Sequence, residues 1–397
     1  MNRRLLLTLF MMFLLAVGTL APAVAQDEFT FGLILVGPKN DRGWSQAHFE
    51  AGEYIEANIP GATMLVFESL NPADAPETTT RDVVTEMVDQ GAQLIITTSD
   101  AFTEDTDDVA VEFPDVVFIN SSGETVQKGE APPNVGNVMG QMVWGKEMAG
   151  CTAALATETG QIGYLGPLIN NETRRLAASA YLGARYCYEN YAGGDADDLE
   201  FTVTWIGFWF NIPGVTLDPT EEVNTFFDSG VDVVISGIDT TEGLDVAAQR
   251  AGAGEPVLSV AYDYAEACDI APDVCLGVPY FNWGPAYLEI AQSVIDGTWE
   301  QDWDWQAPDW EDLNNLDTTA IGFLKGPALS EEDAESLDAF IAEQVAFSEA
   351  NDGAFFLWEG PLNLQDGTEF VAEGEIADPV DVWYLGQLLE GMIGASE

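Results

Sequence analysis

The sequence predicts an α/β protein of two lobes, each built around a mostly parallel sheet. Two observations carry that expectation. Short apolar runs alternate with helical periodicities, and the alternation restarts near the middle of the chain. A chain of 397 residues also exceeds one average domain and suits two. Apolar residues make up 47% of it, enough for sizeable cores, so global disorder is excluded.

Taken in order, Phe29 to Val36 (FTFGLILV) reads as a buried strand and Ser45 to Asn58 as a helix. Ala62 to Phe67 is a second strand, Thr78 to Gln90 an amphipathic helix, and Gln93 to Thr98 (QLIITT) a third strand. Asp107 to Glu112 is helical and Val116 to Asn120 (VVFIN) extended. The crossover between lobes falls near Gly136 to Gly140. The second series places helices at Val143 to Thr157, Glu172 to Tyr191, Pro219 to Ser229 and Thr241 to Ala251. Its strands are Gln161 to Leu165, Leu199 to Gly207, Val231 to Ser236 and Pro256 to Tyr262. Gly284 to Gly297 and Ser330 to Ala350 read as further helices, with a Trp- and Asp-rich segment from Gln301 to Trp310 between them. Phe355 to Asn363, with the Asp366-Gly367 turn, resembles a terminal hairpin.

The amino terminus reads as a targeting signal. Arg3 and Arg4 precede an apolar run from Leu5 to Leu20, and Ala23-Val24-Ala25 fits a small-residue cleavage site. Cleavage after Ala25 is expected, giving an exported protein on the periplasmic or extracellular face of the membrane. Cys151, Cys187, Cys268 and Cys275 would then meet an oxidising compartment. Three pairings are possible. Cys268–Cys275 would staple a short loop and Cys151–Cys187 would tie neighbouring helices, and these two are favoured. With His48 the only histidine and no CxxC, a zinc site is not expected, nor any other metal or cofactor.

The formal net charge is -56, from 68 acidic residues against 12 Lys and Arg. Nucleic-acid binding needs clusters of basic residues and is excluded as a function class. The acidity otherwise describes a solvated surface, suited to a saline or acidic exterior.

Ligands of open α/β sheets bind beyond the carboxyl ends of the strands. Those ends hold Asn40, Asp41 and Trp44 after the first strand, and Ser99 and Asp100 after the third. In the second series they hold Trp209, Asp239 and Asp263. No GxGxxG or GxxxxGK[ST] motif occurs, so a nucleotide-phosphate site is not supported. A neutral, flat ligand with several hydrogen-bonding edges fits better: Trp44 and Trp209 would sandwich its ring, and the carboxylates would orient it. Each residue also has a plainer reading. Trp44 fits a core position, and any of Trp205, Phe208, Trp209 and Phe210 fits core packing. Asp239 and Asp263 fit helix caps, His48 a satisfied structural histidine, and Arg174 and Arg175 a solvated helix start. No GxSxG or HExxH motif supports an enzyme.

Gly37 to Glu56 (GPKNDRGWSQAHFEAGEYIE) resembles the first loop and helix of the basic membrane protein family, the purine- and nucleoside-binding receptors of ABC importers. Similar stretches follow in order: QLIITTSDAF, EFPDVVFIN, NVGN, DSGVDVVISGID and NWGPAYLEIAQSVIDGTW. GW-x-x-AH and NWGP with the following DGTW are the specific ones. The resemblance implies a type I periplasmic-binding-protein fold, two Rossmann-like lobes joined by three hinge crossovers. It implies capture of a purine base or nucleoside in the interlobe cleft and delivery, as a monomer, to ABC permease subunits. Trp44 matches the aromatic that stacks on the base, Asn40 and Asp41 polar groups of the same loop, and Asp239 and Asp263 acidic positions; Trp209 lies near the opposing aromatic. Asn282 belongs to the NWGP motif. Many family members carry a lysine that contacts a nucleoside where this chain reads Val278 to Trp283 (VPYFNW). The expected lobes are residues 26–138 with about 283–315, and 139–282 with about 316–397. The alternatives are a same-fold receptor for a sugar or other small solute, a ligand-sensing subunit for a signalling receptor, and a nucleoside hydrolase.

Overall fold

A computed structural model describes residues 28–397. The segment read as a signal peptide, with its cleavage site, lies outside the described residues. Two six-stranded sheets organise the chain. The first holds β1 (Phe29–Ile34), β2 (Ala62–Phe67), β3 (Leu94–Thr97), β4 (Val117–Ser121), β5 (Val135–Gly140) and β11 (Trp303–Gln306), in the order β2-β1-β3-β4-β5-β11 and all parallel. The second holds β6 (Gln161–Gly166), β7 (Glu200–Trp205), β8 (Val233–Ser236), β9 (Leu258–Val260), β10 (Cys275–Phe281) and β12 (Ile321–Lys325). Its order is β7-β6-β8-β9-β10-β12, with β12 alone antiparallel.

Helices α1 (Trp44–Asn58), α2 (Thr80–Asp89), α3 (Thr103–Ala110) and α4 (Thr125–Lys128) belong to the first series. α5 (Met142–Ala156), α6 (Asn171–Asn190), α7 (Pro219–Ser229) and α8 (Glu242–Gly252) belong to the second. After them come α9 (Gly284–Asp296), α10 (Glu331–Ala350) and α11 (Pro379–Trp383). The chain passes between sheets after β5, after β10 and between β11 and β12, so three connections join the two halves. The central strands β1, β3, β6 and β8 are buried parallel elements, which explains their continuous apolar runs rather than alternation.

Local chemistry sets the helix starts. Asp41 accepts hydrogen bonds from the backbone N–H groups of Gly43, Ser45 and Gln46 at 2.9–3.0 Å, which satisfies the opening turn of α1. Reciprocal capping boxes begin α2, through Thr79 and Asp82, and α6, through Asn170 and Thr173. Cys151 of α5 and Cys187 of α6 form a disulfide, and Cys268 and Cys275 form a second. Both favoured pairings are present. No helix among the described residues is long and apolar enough to cross a membrane.

Several expectations need correction. The chain crosses between the sheets just after Gly140, near where the crossover is expected, but Val135–Gly140 is itself a fully buried strand that the sequence does not mark. Strands β10 and β12 lie where no strand is read from the sequence. The third helix, α3, begins at Thr103 rather than Asp107, because a 3-10 turn capped by Ser99 leads directly into it. The terminal hairpin is much shorter than Phe355 to Asn363, pairing only Leu362–Asn363 with Glu369–Val371. Arg175 is not solvated. It is 2% exposed, because the carboxyl-terminal segment covers it: its guanidinium lies 4.1 Å from the ring centre of Trp383.

Candidate functional site

The two strand sets point their carboxyl ends at each other, and between them lies a narrow cleft of about 270 Å³, part of it open to solvent. Trp44, Ser99, Asp100 and Ser122 line it from the first half, and Glu172, Trp209, Asp239, Tyr262 and Asp263 from the second. Six of the nine residues singled out from the sequence therefore meet here. The other three lie elsewhere. Asn40 is exposed, and Asp41 caps α1 as described. Asn282 donates to the carbonyls of Leu316 and Thr319, bracing a connection between the halves.

Trp44 is locked in place. Its indole N–H donates to the Thr98 carbonyl at 2.6 Å, and its ring makes T-shaped contacts with His48, Phe281 and Trp283. His48 stacks on Trp283 at 4.3 Å and shares a 2.7 Å hydrogen bond through Nδ1 with Tyr287, whose hydroxyl meets Ser121 at 2.6 Å. Burial lowers the His48 pKa well below its ordinary value, so the ring is neutral and structural. Of the aromatic cluster after β7, Trp209 is the one that lines the cavity, whereas Trp205 donates to the Ala395 carbonyl at 2.7 Å.

Asp100 joins the two halves. One carboxylate oxygen accepts from the Trp209 indole N–H at 3.2 Å, and the other from the Asn170 side chain at 3.0 Å. Gly43 comes equally close: a Cβ there would collide with the Asp239 carbonyl, so only glycine allows this approach. The halves are therefore shut on one another.

Asp239 and Asp263 give the cavity its chemistry, and neither caps a helix. Asp263 is fully buried with φ of 68°, a conformation costly for most residues. Its N–H donates to Pro279 and its carbonyl accepts from Phe281, both at 3.1 Å, which pins the backbone to β10. Neither Asp263 carboxylate oxygen has a hydrogen-bond partner among the described residues. Ser122 shares the left-handed conformation, with φ of 63°. Burial, then the neighbouring Asp263, pushes the Asp239 pKa well up; for Asp263, burial outweighs the opposing pull of Lys146. Burial also raises Asp100, and lifts Glu172 to about 7.

Three contributors escape the sequence reading. Tyr262 forms a wall, and Lys146 braces it from behind, with Nζ 3.1 Å from the ring centre and donating to the Ser236 carbonyl at 2.7 Å. Glu172 lines the cavity from the first turn of α6. Tyr262 directly precedes Asp263 and was within reach of strand-end reasoning. Nothing in the local sequence marks Lys146 or Glu172.

Such a cavity suits a small flat molecule rich in N–H or O–H donors. It is faced by two indoles and a phenol, and the Asp263 carboxyl group in it has no hydrogen-bond partner among the described residues. Among the described residues no cluster suited to a metal ion occurs.

Comparison with known proteins bears on the fold and the family. The profile of a family described as "ABC transporter substrate-binding protein PnrA-like" matches residues 29–340. A purine-binding protein of Brucella abortus is 29% identical over 358 residues, covering 90% of each chain. A putative ABC transporter glucose-binding protein of Haloferax volcanii is 25% identical over 351 residues, covering 86% of this chain and 80% of the relative. The crystal structure of an ABC transporter solute-binding protein from Aeropyrum pernix superimposes with a TM-score of 0.61 at 15% identity, covering 82% of this chain and 86% of that one. That likeness establishes the fold, the type I periplasmic-binding architecture expected from the sequence.

Proposed function

Because the chain belongs to the PnrA-like family of ABC transporter substrate-binding proteins, we propose that it captures a purine base or purine nucleoside between its two lobes. It then presents the ligand, lobes closed, to permease subunits on the outer face of the membrane. The lobes correspond to the two sheets with their helices, and the three connections form the hinge. Binding is the whole activity, with no bond made or broken.

One observation carries the reading. Trp44 and Trp209, from opposite lobes, line the same cavity as two buried carboxyl groups, Asp239 and Asp263, and the Asp263 carboxylate has no hydrogen-bond partner among the described residues. A purine supplies what is missing: a flat face for the indoles, and edge N–H donors for the acids. Base–aromatic stacking contributes about 1–3 kcal/mol per base. Phosphate-bearing ligands fit poorly, because Asp100, Glu172, Asp239 and Asp263 surround the space. A ligand touching both lobes stabilises only the closed state, and so shifts the hinge equilibrium toward it. The purine-binding relative supports the ligand class. The putative glucose-binding relative favours a sugar as the competing ligand, since sugars also stack on tryptophan.

Isothermal titration of the purified protein, freed of co-purified ligand, tests the proposal against adenine, guanine, hypoxanthine, xanthine, adenosine, guanosine and glucose. Saturable one-to-one binding of a purine without turnover is expected. Binding of glucose alone would overturn the purine reading, and release of free base from a nucleoside would overturn the non-enzymatic one.

A further inference from the structure

The last residues of the chain lie beyond the region that the family profile matches, and they touch both lobes. Residues 385–396 are fixed to the second lobe. Arg174 of α6 donates to the carbonyls of Leu385 at 2.8 Å and Ser396 at 3.2 Å, and Tyr181 of the same helix donates to that of Glu390 at 3.1 Å. Ile393 runs alongside β7, its N–H donating to Phe201 at 2.9 Å and its carbonyl accepting from Val203 at 2.7 Å. Leu385 and Leu388 are fully buried.

The two residues just before this stretch grip the first lobe. Trp383, at the end of α11, sets its ring edge-on against Trp303 at 4.9 Å and Trp305 at 4.8 Å, both on β11 of the first sheet. Such edge-to-face pairs attract beyond the area they bury. Its indole N–H donates to Glu124, and the Tyr384 hydroxyl donates to Gln127. The Lys128 ammonium lies 5.7 Å from the centre of the Tyr384 ring.

These opposing grips are adjacent in sequence. Trp383 and Tyr384 hold the first lobe and Leu385 the second, and consecutive Cα atoms are about 3.8 Å apart. The chain between them has no slack. Parting the lobes at this edge must either draw the two rings off the first lobe or strip residues 385–396 from α6 and β7. The first is easier, because the second breaks backbone pairing and exposes buried leucines. Trp383 also stands beside the ligand cleft, on a groove whose walls include Asp100, Ser122 and Glu172, three residues that line the cleft as well.

We infer that Trp383 and Tyr384 form a strap across the edge of the cleft, fastening the lobes together so that the cleft opens only when the two rings leave the first lobe. The strap does not depend on what the ligand is. Because ligand must pass the same opening on entry and on exit, loosening the strap speeds both and changes their ratio less than either rate. Loss of an ordinary contact to bound ligand changes mainly release.

Small-angle scattering of the ligand-free protein tests the strap. Wild type should give the profile of the closed structure, and Trp383→Leu a larger radius of gyration. Trp303→Leu removes the same ring contact from a half-buried position on the first lobe and should act likewise, so the test stands even if Trp383→Leu does not fold. Stopped-flow mixing with adenine then separates a strap from a binding contact: in either variant association and release both rise, by about tenfold. An open wild type, scattering unchanged in both variants, or faster release with unchanged association would each overturn the strap. Failure of adenine to bind would count against the purine reading alone, and the scattering would still decide the strap.

Discussion

At the scale of single residues, the account rests on side chains held rigid by their neighbours. Trp44 is anchored through its indole N–H and three surrounding rings, so its position does not depend on the ligand. Trp44→Leu keeps an apolar group but removes the stacking face, and purine affinity falls about 5- to 100-fold. Titration of a variant with unchanged circular dichroism checks this, and unchanged affinity would remove Trp44 from the site. A second prediction concerns Glu147 on α5. Burial raises its pKa from 4.5 to about 8, although Gln344 donates to one of its oxygens at 2.7 Å. The folded state therefore holds a proton that the unfolded chain loses near pH 4.5. That stabilisation is present at low pH and is lost as pH rises toward 8. Glu147→Gln flattens this part of the profile, measurable as denaturation midpoints at roughly pH 6 and roughly pH 9; an unchanged slope would contradict it. The legibility of the site divides at this scale. Residues just after strands, such as Trp44, Asp100, Asp239 and Asp263, follow from the rule that ligands sit at strand ends. Lys146 and Arg175 do not, because each acts from inside a helix and its burial is set by distant segments.

At the scale of elements, closure depends on two loops meeting where there is no room for a side chain. Gly43, the residue before α1, abuts the Asp239 backbone. Gly43→Ala holds the lobes apart, lowers ligand affinity and leaves each lobe folded. Small-angle scattering with saturating ligand then reports an open particle, and a fully closed one would contradict the tight approach. The carboxyl-terminal segment acts from the other side. Beyond the matched family region, it donates from the Trp383 indole N–H to Glu124 at 2.9 Å and from the Tyr384 hydroxyl to Gln127 at 2.7 Å, both in the first lobe. The Tyr384–Gln127 bond is neutral and contributes about 0.5–1.5 kcal/mol, so Gln127→Ala with Tyr384→Phe speeds ligand release severalfold, as stopped-flow displacement would show. The sequence makes most elements legible through periodicity: Ala62–Phe67 and Pro219–Ser229 fall where the pattern places them. It hides β5 and β10 for a physical reason. Val135–Gly140 contains two glycines and an asparagine, and Cys275–Phe281 contains a glycine and a proline, so neither has strong strand propensity. Burial within the sheets, rather than local preference, makes them strands.

At the scale of the whole molecule, a net charge of -56 is self-repulsive, and the compact state bears the cost. The ion pairs found are largely exposed, such as Lys39–Glu68 at 3.3 Å and Arg185–Asp197 at 3.0 Å, and pairs of this kind contribute little. Added salt therefore stabilises the protein by screening, with the melting temperature rising from low to molar salt; a fall in neutral salt would contradict this. The same field disfavours anionic ligands, in keeping with the uncharged, donor-rich ligand proposed. That returns the account to its central claim, a purine held between lobes that close around it. The most direct test is a crystal structure of the protein grown with adenosine. The account predicts closed lobes, with the base between Trp44 and Trp209 and its edge against Asp239 and Asp263. An empty cleft at saturating adenosine, or adenosine bound outside the cleft, would contradict it.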